Sequence, residues 1–183
     1  MPVSPDDVLV FWFEEARPDQ HFKKDPAFDR LIVARFADAY DRAARGELDR
    51  WRDDAAPCLA LVIMLDQFPR NMFRGTPRAF ATDAKALAVA EDAIARGHDL
   101  AMPPERRLFF YLPLEHCESL DVQERCVALI GERCAHDERL LDYARRHRDV
   151  IARFGRFPHR NAVLGRPSTP AEAAFLEQPD SSF

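Results

Sequence analysis

Two short stretches of this chain are written in residues suited to binding rather than to filling space. Arg153-Phe154-Gly155-Arg156-Phe157-Pro158-His159-Arg160-Asn161, closing with Gly165-Arg166, gathers arginines and a histidine around a glycine and a Phe-Pro turn. Asp66-Gln67-Phe68-Pro69-Arg70-Asn71 carries the same order of Phe-Pro, arginine and asparagine. A guanidinium offers a planar fork of donors that matches carboxylate and phosphate. Gly155 allows a left-handed exit from a helix, and Phe-Pro stiffens the turn so that the forks are held in place. The chemistry this predicts is recognition of a small carboxylate or phosphate. Arg153, Arg156, Arg160, Asn161 and Arg166 would bind it on one wall, with Gln67, Arg70 and Asn71 on another, the two turns together building one polar site. The alternative for the same residues is a clasp, in which the arginines bond exposed carbonyls and tie the last helix to the body.

Proton-transfer candidates lie close by in type. Glu115-His116-Cys117-Glu118 follows Pro113 at a predicted helix break. His116 with Glu118 reads either as a general acid/base with an orienting carboxylate or as a histidine satisfied by backbone groups freed at the break. Asp66 sits at the end of an otherwise apolar helix and needs a partner, which Arg70 supplies at i,i+4 spacing. With His159 these make the candidate catalytic set: Asp66, His116, Glu118 and His159. A structural ion pair is the competing reading of Asp66 and Arg70. His136-Asp137 resembles the dipeptide of metal phosphohydrolases, but at a helix start the aspartate reads as a cap.

No metal and no cofactor is expected. The four cysteines (Cys58, Cys117, Cys126, Cys134) form no C-x-x-C pair or zinc-finger spacing. Cys126 and Cys134 fall among Val127, Leu129 and Ile130 and read as buried free thiols. Glu-x-x-His pairs, a Walker loop, G-x-G-x-x-G, H-E-x-x-H and a serine-triad motif are missing.

Composition fits a globular domain: 183 residues, 47% hydrophobic and 31% charged. A net charge of −5 argues against nucleic acid as a partner. From Arg139 to Arg166, however, eight arginines face only Asp142 and Asp149. A basic segment on an acidic body suits a small anion or an acidic partner patch. Neither apolar run, Val8 to Phe13 or Cys58 to Leu65, approaches the roughly 20 residues of a membrane span. With no secretory pattern at its start, a cytoplasmic location is expected.

The elements that must position these residues all read as helices. Ser4-Pro5-Asp6-Asp7 starts the first, which Pro18 stops. Asp25-Pro26 starts the second, with Phe28, Ile32, Phe36 and Tyr40 on its inner face and Asp38/Arg42 and Asp41/Arg45 as surface pairs. Asp54 caps a third, apolar all round from Cys58 to Leu65, which should end at Phe68 because Pro69 follows. Thr76-Pro77 opens the next region, and Thr82-Asp83 caps the Ala-rich helix that ends at Gly97. A fifth begins at Pro103-Pro104 and breaks at Pro113. Ser119 to Ala135 is a sixth, with Leu120, Val127 and Ile130 inside. A seventh follows His136-Asp137 and ends at Gly155, and Thr169-Pro170-Ala171-Glu172 is a capping box for a short last helix. No alternating strand pattern occurs. The expectation is a single all-α domain over 1–183, with about eight helices in antiparallel hairpins and a flexible tail at 178–183. The Ala-rich helix suggests a tetratricopeptide-like arrangement, but no repeat of about 34 residues is found.

Several of these motifs together resemble the domain-of-unknown-function 924 family. They are Val8-Leu9-Val10-Phe11-Trp12-Phe13, Gly46-Glu47-Leu48-Asp49-Arg50-Trp51, Leu65 to Gly75 around Asp-Gln-Phe-Pro-Arg-Asn, Ala79-Phe80-Ala81-Thr82-Asp83, Tyr111 to Glu118, and Arg153 to Thr169. The likeness covers essentially the whole chain; it departs at Pro18 to Phe22, where the family often has a tryptophan and this chain has His21-Phe22. The resemblance implies a tetratricopeptide-like, right-handed helical array and no known activity. The residues themselves then leave two readings. One is an arginine- and histidine-rich site for a small anionic ligand, with catalysis left open. The other is a tetratricopeptide-like module for a peptide or protein partner, in which the arginine-rich turn is a clasp.

Overall fold

The computed structural model describes residues 2–21, 23–179 and 181. Among these the chain is all-helical, with nine α-helices, short 3-10 turns, one π turn and no strand. No helix among them is long and apolar enough to cross a membrane. The chain divides into two compact units, Met1–Arg74 with Arg78–Pro113, and Gly75–Pro77 with Leu114–Phe183.

In the first unit, helix α1 (Pro5–Val10) starts at a capping box between Ser4 and Asp7. It widens into a π turn, Phe11–Glu15, closed by the Ala16 amide on the Phe11 carbonyl at 2.9 Å. The helix therefore ends before Pro18 rather than at it. Helix α2 (Pro26–Ala44) is capped by Asp25 and buries Phe28, Ile32, Phe36 and Tyr40. Its expected surface pairs are replaced: Arg42 and Arg45 turn to Glu47 at 3.2 and 2.7 Å, and Asp41 pairs with Arg78. Helix α3 (Ala55–Met72) is the centre of this unit, with α1, α2 and α4 (Asp83–Ala95) packed around it. Leu59 through Leu65 are 0% exposed.

The end of α3 departs from the sequence expectation. Pro69 lies inside the helix, which continues to Met72. A proline there cannot donate to the Leu65 carbonyl, and that is the usual reason for a helix to stop. Here Thr82 Oγ1 donates to Leu65 O at 2.6 Å instead. One carbonyl further on, Arg70 Nη1 donates to Asp66 O at 2.7 Å. Thr82 is thus used to mend α3, and it makes no capping bond at the start of α4. The fifth predicted helix is also split, into α5 (Pro104–Arg107) and α6 (Leu112–Glu115), with a 3-10 turn at Leu108–Phe110. The break precedes Pro113, which sits within α6 near its start, where a missing amide costs nothing.

In the second unit, α7 (Leu120–Arg133) packs along α8 (Glu138–Phe154) after the short connection at 134–137. Asp137 caps α8 by accepting from the Arg139 amide at 3.0 Å, as the capping reading of His136-Asp137 requires. The inner face of α7 is Gln123, Cys126, Leu129 and Ile130; contrary to expectation Leu120 is 39% exposed and Val127 only half-buried. Cys126 and Cys134 are buried free thiols. Helix α8 ends at Gly155, whose φ of 69° is left-handed. The chain then turns through Phe157, which is 0% exposed against Val150 and Ile151, and reaches α9 (Pro170–Leu176) behind the Thr169–Glu172 capping box. The tail expected at 178–183 falls at 180, 182 and 183 outside the described residues, as Phe22 does; Ser181 Oγ donates to Leu176 O at 3.1 Å.

Candidate functional site

The sequence-predicted site residues divide between the units. Asp66, Gln67, Arg70 and Asn71 lie in the first, on the last turns of α3. Asp66 is 0% exposed and accepts from Gln67 Nε2, with Arg70 Nη1 at 3.3 Å from its Oδ1. Arg70 forks onto Asp83 at 2.9 and 3.0 Å, which holds the start of α4 against the proline-containing end of α3. Asn71 donates to Asp29 at 2.8 Å, and Arg74 grips the same carboxylate at 3.0 and 2.9 Å. Three helices are joined at this node by charge-assisted bonds.

The other candidates lie in the second unit, where two guanidiniums are each forked onto a carboxylate. Arg166 forks onto Glu118 at 2.7 and 2.9 Å, reaches Phe157 O at 3.1 Å and Asn161 Oδ1 at 3.0 Å. Asn161 in turn donates to Ser168 Oγ at 3.1 Å. The Phe157 amide donates to Glu118 at 2.8 Å. Burial pushes the Glu118 carboxyl up, but Arg166 and the Phe157 amide outweigh it and leave Glu118 below the usual carboxylate range. Arg156 forks onto Glu172 at 2.6 and 2.8 Å and bonds Pro167 O at 2.9 Å. Arg156 and the Thr169 amide together hold the Glu172 carboxyl far below its ordinary value.

His147 and His159 both lie against the Phe157 ring, and His116 lies beside His147. His147, 5% exposed, donates from Nδ1 to Tyr143 O at 2.9 Å, with Glu115 Oε1 at 3.4 Å from the same nitrogen. The nearer carbonyl fixes the tautomer, so Nε2 carries the lone pair. Burial pushes His147 down to about 3, and the charges of His116, His159 and Arg160 push the same way. The His116 ring is 6.5 Å from that of His147, His159 is 5.6 Å from Phe157, and the Arg160 guanidinium lies 4.6 Å over the Phe157 ring. The 114–117 turn carrying His116 is pinned from α7: Gln123 Nε2 donates to Glu115 O at 2.5 Å and Cys117 O at 2.8 Å.

Arg153 behaves differently from Arg156 and Arg166. It is exposed, and among the described residues no carboxylate pairs with it. Its guanidinium lies 4.7 Å over Phe154 and 6.0 Å from the Phe175 ring. It lines an open groove of about 530 Å³ between α8 and α9, with Phe154, Arg156, Thr169, Ala171 and Glu172. A second depression of about 570 Å³ on α8 is lined by Glu138, Asp142, Arg139 and Arg145 with Leu141, so its charges balance. Among the described residues no group of His, Cys, Asp and Glu is placed to hold a metal ion.

A family model described as a bacterial protein of unknown function, DUF924, matches residues 8–180. The chain belongs to the DUF924 family. A solved structure, that of the protein of unknown function ATU0120 from Agrobacterium tumefaciens, is similar: the match is 47% identical, covers 94% of this chain and 96% of that chain, and has a TM-score of 0.89. No curated protein matches. Both arginine-bearing stretches of this DUF924 chain fall inside the matched span, as do two residues, Glu172 and Gln123, that the sequence did not place in the site. Glu172 is legible in the sequence only as half of a capping box; its bond to Arg156 spans 16 positions and leaves no local trace. Gln123 shows only as a polar residue in a helix.

Proposed function

We propose that this DUF924 protein is an anion-binding helical protein whose second unit takes a carboxylate- or phosphate-bearing ligand in the groove between α8 and α9. The observation that carries the reading is Arg153, an exposed guanidinium without a carboxylate partner among the described residues, laid on aromatic rings at the edge of a concavity. Arg156 and Arg166 serve as clasps that build the groove, because their forks are occupied by Glu172 and Glu118. Asn161 orients Arg166. Arg160 lies over Phe157 and adds a cation to the same unit.

The reading assigns binding and no chemical step. Glu118 is fully engaged and Asp66 is sealed from solvent, so neither is poised to accept a substrate proton. Asp66, Gln67, Arg70 and Asn71 then act as the node that completes the end of α3.

The test is a thermal-shift titration with inorganic phosphate and with succinate at low salt. A ligand present at ten times its Kd stabilises by about 1.4 kcal/mol, a rise in melting temperature of roughly 3–6 °C for a chain of this size. Wild type is expected to show the rise and Arg153→Gln to lose it. Equal stabilisation of both proteins, or of neither, would remove the groove from consideration.

A further inference from the structure

We infer that the natural occupant of the α8–α9 groove is an acidic segment of a partner protein. One carboxylate would sit on Arg153, and the apolar atoms beside it would lie on the Phe154–Phe175 shelf. The inference rests on the anion-binding reading and narrows it to one kind of partner.

Charge is the first argument. Arg156 spends Nε and Nη2 on Glu172 and Pro167 O, so its charge in the groove is neutralised by the carboxylate beside it. Arg153 is then the single uncompensated cation among the residues that line the groove. A phosphate carries about −1.5 to −2 charges and three strong acceptors, and wants several donors. Here it would meet one fork and, beside it, the Glu172 carboxylate. A lone carboxylate needs one planar fork and no more.

Shape is the second. Sites for small molecules enclose roughly 70–90% of the ligand surface. This depression is shallow and open to solvent, so a free metabolite would keep much of its surface in water. A peptide loses nothing by that, since residues on either side of the acid continue the contact. Order favours a peptide as well. Arg153 is stacked 4.7 Å over Phe154, and Phe154 packs 5.2 Å from Phe175. A guanidinium already resting over a ring gives up less freedom when a carboxylate arrives, and the partly buried rings offer apolar surface to the neighbouring side chain.

The experiment is a selection from a displayed library of random octapeptides against the full chain, run in parallel on wild type, Arg153→Gln and Arg145→Gln. Arg145 lines the other, charge-balanced depression and serves as the control. Both positions are exposed, and matching melting curves establish that the variants fold. The expected result is enrichment of sequences with Asp or Glu beside an aromatic or aliphatic residue on wild type and Arg145→Gln, lost on Arg153→Gln. The winning peptide, measured by fluorescence anisotropy, should weaken about tenfold or more when its acid is changed to the amide, and by a similar factor on Arg153→Gln. If phosphate or succinate binds in an Arg153-dependent way while the library yields no acidic sequences, the peptide inference fails and the anion reading stands. If the same peptides are enriched on wild type and Arg153→Gln, and small anions bind both alike, both readings fail together.

Discussion

Arg156 and Arg166 end on Glu172 and Glu118 with two guanidinium–carboxylate bonds each, and both also bond backbone carbonyls of the 157–167 segment. Side chains about a quarter exposed, in forked geometry, are worth more than an ordinary surface pair. Arg166→Ala is expected to cost about 2 kcal/mol in urea unfolding, because it takes the guanidinium from a half-buried Glu118, which keeps only the Phe157 amide, and removes the donor to Asn161 Oδ1. A change below about 0.5 kcal/mol would show that the pair contributes little. His147 gives a pH signature. Its folded value is depressed, so the unfolded chain binds the proton first as pH falls. The stabilisation is therefore complete above about 6.5 and is lost progressively from there down to about 3. At pH 5 the loss should be about 2 kcal/mol relative to pH 7.5. Denaturant melts of His147→Gln at both values should show a flatter dependence. Part of the slope will persist, because burial also lowers His21.

At the scale of elements, the most instructive departure is α3 running through Pro69. Local rules end that helix at Phe68, and a threonine 17 positions away overrules them by supplying a donor to Leu65 O. Thr82→Val should therefore cost about 1–3 kcal/mol, the penalty of an orphaned buried carbonyl. In a Pro69→Ala background the backbone amide can serve Leu65 O itself, so the same threonine change should cost clearly less. A double-mutant cycle by chemical denaturation reads this directly, and additivity would refute the arrangement. The split of α5 from α6 has a similar origin. Tyr111, 0% exposed, gives its hydroxyl to buried Asp99 at 2.6 Å, and Arg107 bonds Asp99 O at 3.0 Å, so tertiary bonds set where that helix breaks.

For the molecule as a whole, a net charge of −5 is spread unevenly. Much of the basic excess in α8 is cancelled locally: Arg139 pairs with Asp137, Arg146 with Asp142 and Arg148 with Asp149. What remains at the groove is one cation, which suits a weak, salt-sensitive contact rather than a polyanion surface. Binding of succinate or of a selected peptide is accordingly expected to fall only a few-fold between 20 and about 200 mM salt, far short of the ~10³–10⁵ loss seen for many phosphate contacts. A titration at several salt concentrations measures the slope, and a steep one would point to many cations acting together.

The all-α class, the capping boxes at Ser4 and Thr169, the apolar α3 and the left-handed stop at Gly155 were all determined by the sequence alone. Each depends on residues within one or two helical turns, where propensity, period and capping are written locally. The family was equally legible, because Asp-Gln-Phe-Pro-Arg-Asn and Phe-Gly-Arg-Phe-Pro-His-Arg-Asn are contiguous strings. Which arginine is spent and which is open was decided only by the tertiary structure. Arg153 and Arg156 are three residues apart and chemically identical in the sequence, yet Glu172 comes from α9 to neutralise one and leaves the other on its phenylalanine. A carboxylate brought from 16 residues away, like the threonine that mends α3, is a consequence of packing, and no local pattern encodes it.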